Sequence, residues 1–181
     1  MACGHIPRCA LDVSDSGAVR FHEIVKLITE CGFSLHDISR VELDRESQLP
    51  RFNMPLELGA DLGLRLAGPK RQQDRRILVL DAEKHRYDVS LSDISGMDIE
   101  AHNNDANKAI KHVRDWLNAN RGDGLVLPGA AAIVSDYAAY LTIAPDIISA
   151  LRLDSHDDLP HRDYLHVVEE ALPKLEAARR S

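Results

Sequence analysis

Apolar residues recur along this chain at two spacings, one near 3.6 and one near 2, and their order predicts strands alternating with helices. Arg8-Cys9-Ala10-Leu11-Asp12 reads as a short strand, and Ser14, Asp15, Ser16 and Gly17 after it offer oxygens to cap a helix. Phe21, Ile24, Val25 and Ile28 then fall on one helical face, with Gly32 placed for a left-handed cap. Phe33 to Ile38 alternates as a second strand, and the polar stretch from Val41 to Phe52, with Pro50, reads as a loop. Asn53 caps the next helix, Pro55 suits its first turn, and Leu58, Leu62 and Leu66 continue its apolar stripe to Gly68-Pro69.

The run Ile77-Leu78-Val79-Leu80 has the unbroken apolar character of a strand covered on both faces. Asp98 to His102 adds a short strand, and Asn104 or Asp105 caps a helix carrying Ala106, Ile110, Val113 and Leu117 as far as Gly122-Asp123-Gly124. Helix follows from Pro128 to Leu141, then a turn or short helix after Pro145, then an amphipathic helix with Leu165, Val168 and Leu172 that Pro173 should bend or stop. This order predicts an α/β fold with three layers, a short parallel sheet flanked by helices, and a helical C-terminal part. Residues 1–124 form the α/β part and residues 125–181 a helical extension packed on the same domain.

Composition narrows the function classes. A length of 181 residues suits one compact core, and an aromatic share of 4% leaves aliphatic side chains to fill it and few rings on which single-stranded bases could stack. The formal net charge of -7 opposes binding to duplex nucleic acid. Cys3, Cys9 and Cys31 form no C-x-x-C pair, and the N-terminus lacks the apolar core of a signal peptide. No later run of apolar residues reaches the length of a membrane span, so a cytoplasmic location is expected.

Ligands of parallel α/β sheets bind beyond the carboxyl ends of the strands. Asp12, Asp37 and Asp81 end three of the expected strands there, and the helix carrying Glu57 starts at the same edge. A carboxylate in a first helical turn is held rigidly and kept ionised by the helix dipole, which suits attack on, or stabilisation of, a cationic sugar carbon. The plainer alternative is that Glu57 only favours the dipole, that Asp37 caps a loop and that Asn53 is an N-cap. Arg65, Lys70, Arg71, Arg75 and Arg76 read as a solvated basic segment. His156, Asp157, Asp158, His161 and His166 match no zinc spacing, so no metal is expected. Glycine-rich phosphate loops and a G-x-S-x-G elbow are absent, and no resident cofactor is expected.

Several segments carry a resemblance: Pro7 to Asp12, His36-Asp37-Ile38-Ser39-Arg40, Leu49 to Gly59, Asp93-Ile94-Ser95-Gly96 and Ala101 to Leu117. Together they resemble a widespread bacterial family similar to TIR-like and nucleoside 2-deoxyribosyltransferase-like domains, with Arg51 to Gly59 the most specific stretch. The resemblance implies a flavodoxin-like sheet that takes a nucleoside, nucleotide or NAD. Glu57 matches the family's glutamate and would act on the N-glycosidic bond, while Asp37, Asn53, Asp12, Asp81 and Arg51 are expected from their own placement to bind substrate. Members of that family carry a strand, a P-F-D-like element and a helix ahead of the segment resembling Pro7 to Asp12. This chain begins after the segments that would match them, and three alternatives are open: a start at an internal methionine, a divergent short form, or a sheet completed through a partner such as a second copy. The alternative is a non-catalytic nucleotide-sensing or protein-interaction module on the same scaffold.

Overall fold

The structure is a computed structural model that describes residues 3–13, 15–41, 43, 45–46, 48–122 and 124–180. The expected cap at Ser14 and the turn through Asp123 lie partly outside those residues. The helices are α1 (Arg20–Glu30), α2 (Asn53–Ala67), α3 (Lys70–Gln73), α4 (Ala106–Asn120), α5 (Ala130–Leu151) and α6 (His161–Arg180). The strands are β1 (Phe33–Asp37), β2 (Arg76–Asp81) and β3 (Glu100–Ala101), in the order β1-β2-β3 with both pairings parallel. The chain is therefore α/β with a short parallel sheet. Among the described residues no strand pairs with the outer edge of β1.

Several expected elements differ. Residues Arg8 to Asp12 do not form a strand: Ala10–Asp12 is a 3-10 turn. The Asp12 carboxylate folds back to accept from the Cys9 N–H at 3.1 Å and from Arg8 Nε at 2.9 Å, which bends the segment away from extended geometry. Helix α1 starts without a side-chain cap after Val19, and Asp15 instead accepts from the Gly17 N–H at 2.9 Å. It ends through Cys31 in extended geometry, so Gly32 takes no left-handed cap. The third strand keeps only two of the residues from Asp98 to His102.

Helix α5 runs unbroken through Pro145, and α6 through Pro173. A proline inside a helix removes one backbone hydrogen bond at a cost of about 3 kcal/mol. Both rings are on exposed outer faces, while Tyr140, Ala144, Ile147 and Ile148 of α5 pack on Val167, Ala171 and Leu175 of α6. That burial holds both helices together across the proline. Because α5 is one helix of 22 residues, it is long and apolar enough by length and composition to cross a membrane, with 22% of its most apolar window buried. Dividing the segment at Pro145 hid this from the reading of the sequence.

Side chains alternate across the sheet, and the register puts Ser34, His36 and Ile38 on one face with Ile77 and Val79. That face packs on α2 through Leu58, Met54 and Leu62. Phe33 points the other way and meets Trp116 of α4 edge to face at 5.6 Å. Helix α4 in turn ties to the start of α5, since Arg114 donates to the carbonyls of Leu127 and Pro128 and Leu127 N–H donates to Asn118 Oδ1.

One acid sits inside the α2 interface. Asp61 is fully buried, and it accepts from the Ser34 hydroxyl and from His36 Nε2 at 2.8 Å. Arg75, 2% exposed, brings Nε to 2.5 Å from Asp61 Oδ1, an ion contact rather than an aligned hydrogen bond. The same guanidinium donates to the carbonyls of Ile28 and Cys31 and to Gln72, whose amide donates to Thr29 O. Arg75, expected in a solvated segment, is thus the buried cation that joins α1, α2, α3 and β2. Removing one member of a buried pair leaves an uncompensated charge, so Asp61→Ala and Arg75→Met should each lower the unfolding free energy by about 3–5 kcal/mol. Denaturant titration checks this, and a loss below about 1 kcal/mol in either variant contradicts it.

Candidate functional site at the carboxyl edge

Asp37 closes β1 at the carboxyl edge of the sheet. Its Oδ1 accepts from the Ser39 N–H at 2.9 Å, and His102 Nε2 lies 3.5 Å from the same oxygen. His102 follows β3 and is buried, with Nδ1 accepting from the Asn104 N–H at 3.1 Å. In the neutral ring that contact leaves the proton on Nε2, which lies near Asp37 without an aligned hydrogen bond to it. Burial tends to raise the pKa of Asp37, but the Ser39 hydrogen bond and the neighbouring His102 outweigh it, and the pKa falls below the ordinary value. The side chain remains 45% exposed, so one side of the carboxylate faces outward.

The loop after β3 adds polar groups at this edge. His102 and Asn103 donate through their backbone N–H groups to Asp81 O and Ala82 O, which fixes the loop on the end of β2. Asn103 and Asn104 both have left-handed backbones, with φ of 55 and 56°, a conformation asparagine tolerates better than most residues. In the orientation that satisfies its neighbours, the Asn103 amide donates to Ala82 O and accepts from Lys108 Nζ at 3.1 Å. Asp105 caps α4 by accepting from the N–H groups of Asn107 and Lys108.

Asp81 also ends a strand here, but it is 1% exposed and covered. Its Oδ1 accepts from the Ala82 N–H and from Arg86 Nε at 2.9 Å, and Arg86 donates onward to Ile38 O. This pair closes the edge over β2 rather than opening it to a ligand. Asp12 lies elsewhere: Arg8, bonded to it, approaches Glu30 at the end of α1, where the chain enters the amino end of β1. Arg51 is exposed in the loop before α2. Asn53 is the first helical residue, not the cap, which is Phe52, and its side chain makes no capping bond.

Glu57 stands beyond the first turn of α2, where the helix dipole has largely faded. Burial raises its pKa, and the charges of His36 and Arg20 pull it down only in part. The expected stabilisation of the ionised form by a first helical turn is therefore absent, and the net effect of the surroundings is a pKa above the ordinary value. Glu57 precedes Asp61 by one turn, so it belongs to the face of α2 turned to His36, whereas Asp37 projects from the other side of β1. The structure brings Asp37 together with His102 and does not bring it together with Glu57.

A cleft of about 760 Å³ lies along the lower edge of β2, lined by Ile77, Val79, Glu100, His112, Arg65 and Trp116 among others. It exists because β3 pairs only with Leu80 and Asp81, leaving the preceding residues of β2 uncovered. Four of its polar groups pair with one another, His112 with Glu100 at 3.0 Å and Lys111 with Asp115 at 2.7 Å. None of the residues expected to bind substrate lines it.

Sequence reading missed His102, Asn103 and Lys108 as site residues. The signal was the turn-forming run His102-Asn103-Asn104-Asp105 between a strand and a helix. The C-terminal histidines do not gather: His156 meets the Tyr140 hydroxyl at 3.1 Å, the Asp157 side chain is 99% exposed, and His166 faces Glu169. Comparison with family models, with curated proteins and with solved structures found no match.

The raised pKa of Glu57 has a signed consequence. The unfolded chain gives up this proton first, so stability falls as pH rises from the ordinary carboxyl value through the higher folded value. Glu57→Gln lacks this penalty. Its melting temperature should exceed that of the wild type at neutral pH, and the difference should vanish below the ordinary carboxyl range. A Glu57→Gln protein less stable than wild type at neutral pH contradicts this.

Proposed function

We propose that this chain is a nucleoside- or nucleotide-binding module of flavodoxin-like layout, with its ligand at the carboxyl edge of the sheet. The observation that carries the reading is Asp37: an acid with a lowered pKa, half-exposed at a strand end, with a buried histidine behind it. A carboxylate so placed can accept hydrogen bonds from two vicinal sugar hydroxyls. Lys108, in the first turn of α4 beside Asn103, supplies a cation for a phosphate. The resemblance to TIR-like and deoxyribosyltransferase-like domains implies the same ligand class.

A ligand that binds only the folded state raises its stability, by about 2.7 kcal/mol at one hundred times the dissociation constant. Melting curves across a panel of nucleosides, nucleotides and NAD should therefore show an upward shift for some members. Asp37→Asn should remove the shift for all of them, and Lys108→Gln should weaken it for the phosphorylated members alone. A flat panel with folded protein overturns the reading.

A second reading is cleavage or transfer at an N-glycosidic bond of a nucleoside, nucleotide or NAD, through Glu57. It is favoured by the raised pKa of a partly buried carboxyl group beside His36, since perturbed carboxyl groups in such settings serve as acids or bases. In this form Glu57 would protonate the departing base rather than attack the sugar, and water, or an acceptor in the case of transfer, would bond to the sugar carbon and release its own proton to solvent. Chromatography should detect free base released by the wild type and none by Glu57→Gln. Release that persists in that variant excludes Glu57, and the absence of release leaves binding as the function.

A further inference from the structure

Cys9 and Asp12 sit at the two ends of a 3-10 turn, and His161 is the first residue of α6. A sulfur, a carboxylate oxygen and an imidazole nitrogen from these three residues all lie within 4.8 Å of one another. His161 Nε2 is 3.2 Å from Asp12 Oδ1, yet this buried nitrogen makes no aligned hydrogen bond. The turn is fixed from within, because the Asp12 carboxylate holds the Cys9 N–H through its other oxygen, Oδ2, which also receives Arg8 Nε. Asp12 Oδ1 is thereby left facing His161. The Tyr164 ring lies nearly parallel to that of His161, at 18° and 6.5 Å, and steadies its orientation.

We infer that Cys9, Asp12 and His161 form a binding site for a borderline divalent cation, with Zn²⁺ the best fit. Thiolate, imidazole and carboxylate are the ligand types zinc takes, at metal–ligand distances of about 2.0–2.3 Å. A tetrahedral site of that size separates neighbouring ligand atoms by about 3.3–3.8 Å, so the oxygen and nitrogen are already near contact geometry and the third corner has at most about 1 Å to close. On binding, the Cys9 thiol gives its proton to solvent and His161 coordinates as the neutral ring through Nε2. Three protein ligands leave a fourth position for water. With the Asp12 and His161 side chains 17% and 16% exposed, the site is sheltered but reachable. Bound metal would tie the N-terminal segment to α6, a connection the plain ion pair makes only weakly.

The test uses the full chain stripped of metal. One equivalent of Co²⁺ should produce a thiolate-to-cobalt charge-transfer band in the near ultraviolet, and Zn²⁺ should bleach it and raise the melting temperature. The band should disappear in Cys9→Ala and survive in Cys31→Ala. In wild-type protein Zn²⁺ should also slow alkylation of Cys9 at least tenfold, read by mass spectrometry, while Cys31 alkylates unchanged; this arm needs no variant to fold. No thiolate band, a band that persists in Cys9→Ala, or alkylation of Cys9 indifferent to Zn²⁺ overturns the site and leaves an ordinary Asp12–His161 ion pair.

Discussion

The arrangement of α1, α2, α3 and the sheet depends on a single buried carboxylate. Asp61 is fully enclosed, and Ser34 and His36 of β1 and Arg75 ahead of β2 converge on it. A buried charge without partners costs several kcal/mol, so helix and strands are correct only in the one relative placement that satisfies all of these groups at once. Arg75 extends the constraint by donating to the carbonyls of Ile28, in the last turn of α1, and of Cys31, its C-cap. Apolar packing around Leu58 and Val79 supplies area, while the polar cluster fixes register.

That constraint also determines what the sheet can offer a ligand. By engaging His36, it directs alternate residues of β1 to α2 and sends Asp37 to the opposite side, beside His102. The two acids at the start of α2 and the end of β1 therefore serve different surroundings. Burial near His36 shifts Glu57 toward its protonated form, and hydrogen bonds from Ser39 and contact with His102 shift Asp37 toward its ionised form. The two carboxyl groups thus have pKa values pushed in opposite directions by their surroundings.

The helical C-terminal region has an apolar cluster of its own between α5 and α6. Polar contacts join it to the rest, through Arg114 to the carbonyls before α5 and through His161 to Asp12. The segment around Cys9 and Asp12, expected to be a strand, serves this attachment instead. Once Asp12 bonds back to the Cys9 amide, the segment no longer has the extended backbone a strand needs.

Read alone, the sequence determined the periodic elements: the apolar stripe of α2, the continuous run of β2, a cap at Asn104 or Asp105, which in the structure is Asp105, and the alternation that makes the sheet parallel. Those features depend on spacing within a few residues, which is present in the chain before it folds. Tertiary structure decided the rest. Long-range packing carries α5 and α6 through Pro145 and Pro173 against local preference, and Arg75 is buried because its counter-ion lies on another helix. Asp61 falls on the inward stripe between Leu58 and Leu62, a sign of a buried acid visible in the sequence, but its partners are strands away. Which acids share a site depends on which side of β1 each faces, and that is set by contacts between residues far apart in the chain.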